Sequence, residues 1–488
     1  MAFKVTFIGA GSVGFTRRLL TDLLSVPEFH DIQVSFTDIS EPNLAKVTEL
    51  CQRDIDHNGL GIRIEATTDR RQALEGARYV IVCVRIGGLE AFRSDIDIPL
   101  KYGVDQCVGD TLAAGGIMYA QRGIPAMLDF CRDVREVAEP GARILNYANP
   151  NAMMTWAANV YGGVETIGLC HGVQGGHHQI AKALGLPKEE VDIVCAGINH
   201  QTWYIEIRHR GEDMTPKLLA AYEADPELMQ TEKVRIDLLR RFGYYSTESN
   251  GHLSEYVPWY RTDPELLNDW IDLGSWINGE TGGYLRVTTE GRNWFDEEFP
   301  RWLAEPPQRY APEERSEEHG SWIIEGLETG RCYRGHFNVM NRGYITNLMD
   351  GCVVELPGYV DGSGISIPVV GELPDGCAAI CSQSIWVQKL AVEAAVKGDL
   401  RLLRQAMMLD PLTGAVLDPR AIDQMVDEML LANEALLPQY AGVMAEARKR
   451  LEKPWMQTRE GYRGAARLHT KTVEEQRAER ALQQIKED

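Results

Sequence analysis

The sequence predicts an α/β protein, a Rossmann-like doubly wound parallel sheet fused to a mixed α+β domain. Three observations predict it. Short apolar runs alternate with amphipathic helical stretches over the first two hundred residues. The first run, Lys4–Ile8, leads into Gly9-Ala10-Gly11-Ser12-Val13-Gly14 and then a helical pattern through Leu19, Leu20, Leu23 and Leu24. Later runs, above all 79–84, are continuously apolar, as strands buried on both faces of a parallel sheet are.

Each element follows in order. Glycines in the first turn let the backbone approach a pyrophosphate, which sits at the positive N-terminus of the next helix. The second run, 32–37, ends at Asp38. A carboxylate there hydrogen-bonds both hydroxyls of an adenine ribose and repels a 2′-phosphate. Gly9, Gly11, Ser12, Gly14 and Asp38 are therefore expected to hold NAD rather than NADP. A doubly wound domain without a nucleotide is the alternative. A helix over 42–57, a strand over 62–66 and a short helix over 70–75 come next. The strand 79–84 ends in Arg85-Ile86-Gly87-Gly88. Ligands of such sheets bind beyond the carboxyl ends of the strands, so Arg85 reads as a substrate residue or as half of a surface ion pair. The glycine-rich loop 109–116, carrying Asp110, precedes a helix through 124–137. Asp110 by itself also reads as a helix cap. A fifth strand over 142–147 ends in Asn149-Pro150-Asn151, read either as a rigid turn or as amides aimed at sugar hydroxyls or a nicotinamide.

A helix over 152–160 leads to a strand ending at Cys170, and thirty residues on another strand ends at His200. A thiolate and an imidazole at strand ends are a plausible ligand pair for a soft or borderline divalent metal. Two protein ligands leave coordination positions open, which suits catalysis better than structure. The neighbouring His177 and His178 read as helix-start residues near the phosphates, or as surface. Beyond residue 200 the pattern is mixed. Helices are expected over 217–222, 232–242, 384–407 and 421–440, and β-type pieces over 338–367. The stretch 243–256, with Tyr244, Glu248, His252 and Glu255, is dense in groups able to move protons. Residues 262–320 read as loop-rich and partly helical. The expected division is a nucleotide domain over 1–200, a mixed α+β substrate domain over 201–465, and a polar tail over 466–488, mobile or an exposed helix.

Composition narrows the function. The 488 residues carry a formal charge of −21, which argues against a nucleic-acid or anionic-membrane surface. No apolar run approaches the length of a membrane helix. The N-terminus enters a strand without a signal-peptide pattern, so a cytoplasmic protein is expected. Ten cysteines without paired spacing read as reduced thiols.

Several stretches together resemble glycoside hydrolase family 4, the NAD- and manganese-dependent glycosidases. They are Phe7-Ile-Gly-Ala-Gly-Ser12, Asp110-Thr-Leu with Gly115-Gly116-Ile117, Asn146-Tyr-Ala-Asn149-Pro150, Leu169-Cys170-His171, Cys195-Ala-Gly-Ile-Asn199-His200, Gly243-Tyr244 and Thr247-Glu248-Ser249. The resemblance spans nearly the whole chain and leans toward the α-galactosidase and α-glucosidase branch. It implies that NAD+ takes hydride from C3 of an α-glycoside, a base removes the acidified C2 proton, the aglycone is eliminated, and water and hydride return. A divalent metal, usually Mn²⁺, held at Cys170 and His200 polarises the C2 and C3 oxygens. Glu248 is the first choice for the base and Tyr244 the second. His171 stands where phospho-glucosidase members carry an acidic residue, so it protonates the leaving oxygen or only binds substrate. Asp110 matches an active-site carboxylate, and Arg85, Asn149, Asn151 and His252 are assigned to substrate. Family members usually form dimers or tetramers, which makes a homodimer or homotetramer the expectation.

For the sugar, Cys170-His171-Gly172 resembles the uronidases, and an Arg85 fork suits a planar carboxylate. An α-hexuronide is the first expectation and a neutral α-galactoside or α-glucoside the second. A lactate- or malate-type dehydrogenase is the alternative of another class. Such an enzyme lacks the Cys/His pair and would accumulate NADH rather than release an aglycone. A NAD-binding regulator without catalysis is a third reading, against which Cys170, His200, Asn149 and Glu248 argue.

Overall fold

The computed structural model describes residues 3–487; Met1, Ala2 and Asp488 lie outside them. Its strands are β1 (Lys4–Ile8), β2 (Gln33–Thr37), β3 (Ile64–Ala66), β4 (Tyr79–Val82), β5 (Arg143–Asn146), β6 (Thr166–Gly168), β7 (Val191–Ile198), β8 (Gln201–His209), β9 (Glu212–Asp213), β10 (Tyr245–Ser246), β11 (Tyr333–Met340), β12 (Val353–Asp361) and β13 (Gly364–Ser366). They make one sheet, in the order β10-β8-β7-β12-β11-β6-β5-β4-β1-β2-β3, with β9 on β8 and β13 on β12. Strands β3-β2-β1-β4-β5-β6 are parallel, the strand order of a dinucleotide-binding sheet. All four residues of β4 are buried, which accounts for its continuous apolar run.

The sheet does not stop at β6. Asn338 of β11 pairs antiparallel with Gly168, and Glu355 of β12 with Gly197, so the second half extends the first. The expected boundary at residue 200 falls in the two-residue turn between β7 and β8. Apolar side chains pack on both faces. Helices Ala113–Val137, Asn151–Ala157 and Asp375–Lys397 contribute to the largest cluster, and Val13–Leu24 and Glu41–His57 to a second on the nucleotide half. A third cluster, with Val173, Ile193 and Tyr204, lies under helix Gly172–Leu184.

Two regions take definite form here. Residues 262–320 contain a 22-residue helix, Gly283–Ala304, and the start of helix His319–Thr329. Gly291, Pro300 and scattered charges blur the helical period of the first, and packing rather than propensity holds it. The polar tail forms helix Val473–Glu487, fastened to that same helix by Arg477–Glu297 and Arg480–Glu298 ion pairs. No helix among the described residues is long and apolar enough to cross a membrane. All ten cysteines are free thiols.

Candidate active site

The nucleotide turn is built as its glycines require. Gly9 adopts φ +87°, and a Cβ there would sit 2.2 Å from the Cys83 carbonyl oxygen. The Gly11 N–H donates to Asp38 Oδ2 at 2.9 Å, and the Ser40 N–H to Asp38 Oδ1 at 2.8 Å, so the carboxylate is aimed by backbone. Ser12 opens helix Val13–Leu24 without a side-chain cap bond and with no acidic residue in the first turn. That helix end keeps its N–H groups for a phosphate. Ile39, beside Asp38, is fully exposed. These residues fit a bound NAD.

The second centre gathers at the carboxyl ends of β5, β6 and β7. Ligand atoms of Cys170, His200 and Glu248 all lie within 4.8 Å of one another. His200 occupies the tight β7–β8 turn at φ +65°, a conformation that fixes its ring at a small backbone cost. Its Nδ1 meets Thr111 Oγ1 at 2.9 Å, leaving Nε2 toward Glu248 Oε2 at 3.2 Å. His252 Nε2 approaches the same oxygen at 3.4 Å, and Ser249 orients His252 through Nδ1 at 2.9 Å. Glu248 Oε2 is buried, with nitrogens on two sides and no hydrogen bond. Both cis peptide bonds of the described residues, Asn149–Pro150 and Thr247–Glu248, lie here.

The protonation states suit a cation. Burial pushes the Glu248 carboxyl up, but His200, His252 and His171 outweigh it and hold the group at about 2. Burial pushes the His200 imidazole below its ordinary value, against the pull of Glu248. Burial, reinforced by Glu248, pushes the Cys170 thiol well above its usual range, so the thiolate needs a positive ion. An imidazole nitrogen, a sulfur and a carboxylate oxygen without a hydrogen bond are a donor set for a borderline divalent metal. The residues present therefore fit one.

Around this cluster, Asp110 accepts from Asn149 Nδ2 at 3.2 Å on both oxygens and from Arg85 Nη2 at 3.1 Å. Thr111 Oγ1 donates to Asp110 at 3.1 Å and so links it to His200. The Arg85 guanidinium also lies 4.2 Å over Phe92, with Tyr119 and Tyr284 at 5.3 and 5.2 Å. His171 Nδ1 pairs with Glu318 at 3.2 Å, which raises the imidazole to about 9.

Several assigned side chains do something else. Asn151 is buried and donates to the Asn146 and Leu169 carbonyls, while its oxygen accepts from Thr155, so it ties β5 to β6 instead of facing substrate. His252 serves Glu248 rather than the substrate space. Tyr244 packs against the large core cluster and shares no hydrogen bond with the site among the described residues. His177 meets the Val191 carbonyl and His178 meets Glu317, away from the nucleotide turn. The missing side chain at Gly172 is explained by Glu248, whose Cγ would be 2.7 Å from a Cβ there. Three contributors were not singled out as site groups. Glu255 accepts from the N–H groups of Cys107, Val108 and Gly109 at 2.6, 3.0 and 2.9 Å and thereby holds the Asp110 loop. Thr111 and Glu318 are the others. Their partners lie 89 and 147 residues away in the chain, beyond any local pattern.

Comparison with known proteins adds the family. Residues 4–186 match the model for family 4 glycosyl hydrolases, and residues 195–413 match that family's C-terminal domain. The chain belongs to glycosyl hydrolase family 4. It is a glycosidase, and it is 55% identical to an alpha-galactosidase of Rhizobium meliloti (strain 1021), covering 99% of both chains. An alpha-galactosidase of Bacillus subtilis (strain 168) is 35% identical, over 90% of this chain and 99% of its own. Among solved structures, a 6-phospho-alpha-glucosidase from gut microorganisms in complex with NAD and glucose-6-phosphate superimposes with a TM-score of 0.74. It is 25% identical and covers 90% of this chain and 99% of that one.

Proposed function

We propose that this family 4 glycosidase is an NAD- and divalent-metal-dependent α-galactosidase acting on neutral α-galactosides. The Arg85–Asp110 pair carries the choice of sugar. An arginine at this strand end reads a sugar carboxylate only if its charge is free, and here a buried carboxylate faces it at 3.1 Å. A uronate brought beside that pair would meet Asp110 as well as Arg85. The similarity to alpha-galactosidases supports the same reading. The hexuronide expectation therefore gives way to the neutral sugar.

Bound at Gly9–Gly14 and Asp38, NAD+ supplies a hydride acceptor, and a divalent metal such as Mn²⁺ at Cys170 and His200 supplies a Lewis acid. The chain's own residues do the rest. Glu248, ionised and with Oε2 making no hydrogen bond, accepts the proton from C2 of the sugar. His171, kept charged by Glu318, donates a proton to the leaving oxygen. Asn149, held by Asp110, presents its amide to the sugar hydroxyls.

Nitrophenyl α-galactoside, α-glucoside and α-galacturonide, assayed with NAD+, Mn²⁺ and a thiol reductant, test this directly. Release from the galactoside well above the others is expected. Release confined to the galacturonide overturns the sugar assignment. Release that survives removal of both NAD+ and metal overturns the mechanism.

A further inference from the structure

Cys170 and His200 are not delivered by neighbouring strands. Cys170 lies just beyond β6 and His200 just beyond β7, and the sheet order places β11 and β12 between those two strands. The separation of thiol and imidazole is therefore set by two strands from much later in the chain. One row of residues crosses all four. Gly168 of β6 pairs with Asn338 of β11, Asn338 with Glu355 of β12, and Glu355 with Gly197 of β7. The row is tight at its β6 end. A Cβ on Gly168 would lie 2.8 Å from Asn338 Cβ and 2.0 Å from Asn151 Oδ1, so glycine lets β11 close on β6 with polar side chains against it.

Glu355 is the one ionisable group of this row. Directly opposed residues of an antiparallel pair share a face, which sets Glu355 beside Asn338. Glu355 is 2% exposed and has no ion-pair partner among the described residues. A buried carboxyl without a cation is costly, and burial pushes this one up to about 8. Its Oε2 accepts from Asn199 Nδ2 at 3.3 Å. Asn199 is itself fully buried and immediately precedes His200 in the β7–β8 turn. His200 holds φ +65° there, a conformation that a non-glycine residue keeps only when its surroundings fix it. Thr111 fixes the His200 ring, and the Asn199–Glu355 contact ties the turn that carries the ring to β12. Neither the nucleotide turn nor the sugar chemistry described above uses Glu355.

We propose, on the basis of the metal site at Cys170 and His200, that Glu355 is a positioning residue for that centre: through Asn199 it holds the His200 turn, and through the row it shares with Asn338 it holds the Cys170 strand at the matching distance. The role needs a hydrogen-bonding side chain of this length and not its charge. Glutamine therefore replaces Glu355, and leucine, of similar size but apolar, does not. A carboxylate that drew the cation by charge alone would be silenced by either change.

Mn²⁺ is titrated calorimetrically into the NAD+-loaded protein as wild type, Cys170→Ser, Glu355→Gln, Glu355→Leu and Asn199→Ala. NAD+ affinity and thermal melting are measured alongside. Glu355→Leu and Asn199→Ala are expected to weaken Mn²⁺ binding by about 10- to 100-fold, the usual loss when a group that orients a metal ligand is removed, while NAD+ affinity stays within a few-fold. Glu355→Gln should bind Mn²⁺ within a few-fold of wild type. Wild-type affinity in Glu355→Leu overturns the proposal. Equal losses in Glu355→Gln and Glu355→Leu also overturn it, in favour of a charge effect. If Glu355→Leu melts too early to titrate, Asn199→Ala decides, since it removes the same contact by a smaller change; wild-type affinity there overturns the proposal. Mn²⁺ binding that Cys170→Ser leaves unchanged shows instead that the metal site itself is misassigned, and the role of Glu355 falls with it.

Discussion

Replacing Glu248 by glutamine separates two roles that its position allows. The change keeps the side chain's shape and removes its charge and its basicity. Glu248 shares a 4.8 Å cluster with Cys170 and His200, so its charge also draws a cation toward the site. Weaker Mn²⁺ binding is therefore expected whichever role is right, and the assay has to be run at saturating metal. Under that condition the base reading predicts a kcat lower by about 10²–10⁴-fold, the usual contribution of a positioned general base, or about 3–5 kcal/mol of barrier. Nitrophenyl α-galactoside hydrolysis gives kcat, and a substrate deuterated at C2 shows whether proton abstraction has become slower. The glutamine amide has no ionisable group in the assayed range, so raising the pH does not rescue the variant. A kcat within tenfold of wild type at saturating Mn²⁺ would refute the base assignment and leave Glu248 as a third metal ligand.

Other substitutions probe the remaining parts. Cys170→Ser should weaken Mn²⁺ binding by about 100-fold or more while NAD+ affinity, read by calorimetry, stays within a few-fold; full activity of this variant in a chelator would sink the metal assignment. Arg85→Gln leaves Asp110, itself 1% exposed, without its cation, and should cost about 3 kcal/mol of stability, whereas Arg85→Gln with Asp110→Asn should recover much of it in urea unfolding. Additive losses in that pair would show that the two groups are not coupled. His171→Gln tests the Glu318 ion pair through pH. The His171 imidazole is raised from 6.5 to about 9, so its stabilisation is complete below pH 6.5 and fades as pH rises through 9. Its side chain is 59% exposed, and solvent screening limits the effect to about 1 kcal/mol. Wild type and variant should differ most near pH 6 and converge above pH 9; parallel curves would dissociate the pair from stability.

The parallel half of the sheet was legible because its signals are local. A strand buried on both faces writes an unbroken apolar run, and the Gly9–Gly14 turn carries its geometry in the glycines themselves. In the antiparallel half the strands of 191–200 and 338–367 were legible, but not that they extend the same sheet. Strand β11 joins β6 across 170 residues of chain, and no local pattern names that partner. Helix Gly283–Ala304 has no clean stripe to read, and its ion pairs to the C-terminal helix depend on residues 180 positions away.

The site shows the same limit more sharply. Cys170, His200 and Glu248 were each legible as chemistry, since few bland roles bring a thiol, an imidazole and a carboxylate to strand ends. What the sequence could not reveal is which named groups answer one another. Arg85 was read as a substrate group or half of a surface ion pair, and Asp110 as an active-site carboxylate or a helix cap. In the fold they face each other, and Asn149 completes the arrangement. A free arginine implies an anionic sugar; an arginine matched by a buried carboxylate implies the opposite. His252 repeats the pattern, a candidate substrate group that instead braces Glu248. Substrate class here is a property of pairs, and a pair exists only once the loop held by Glu255 has been folded against the end of β4.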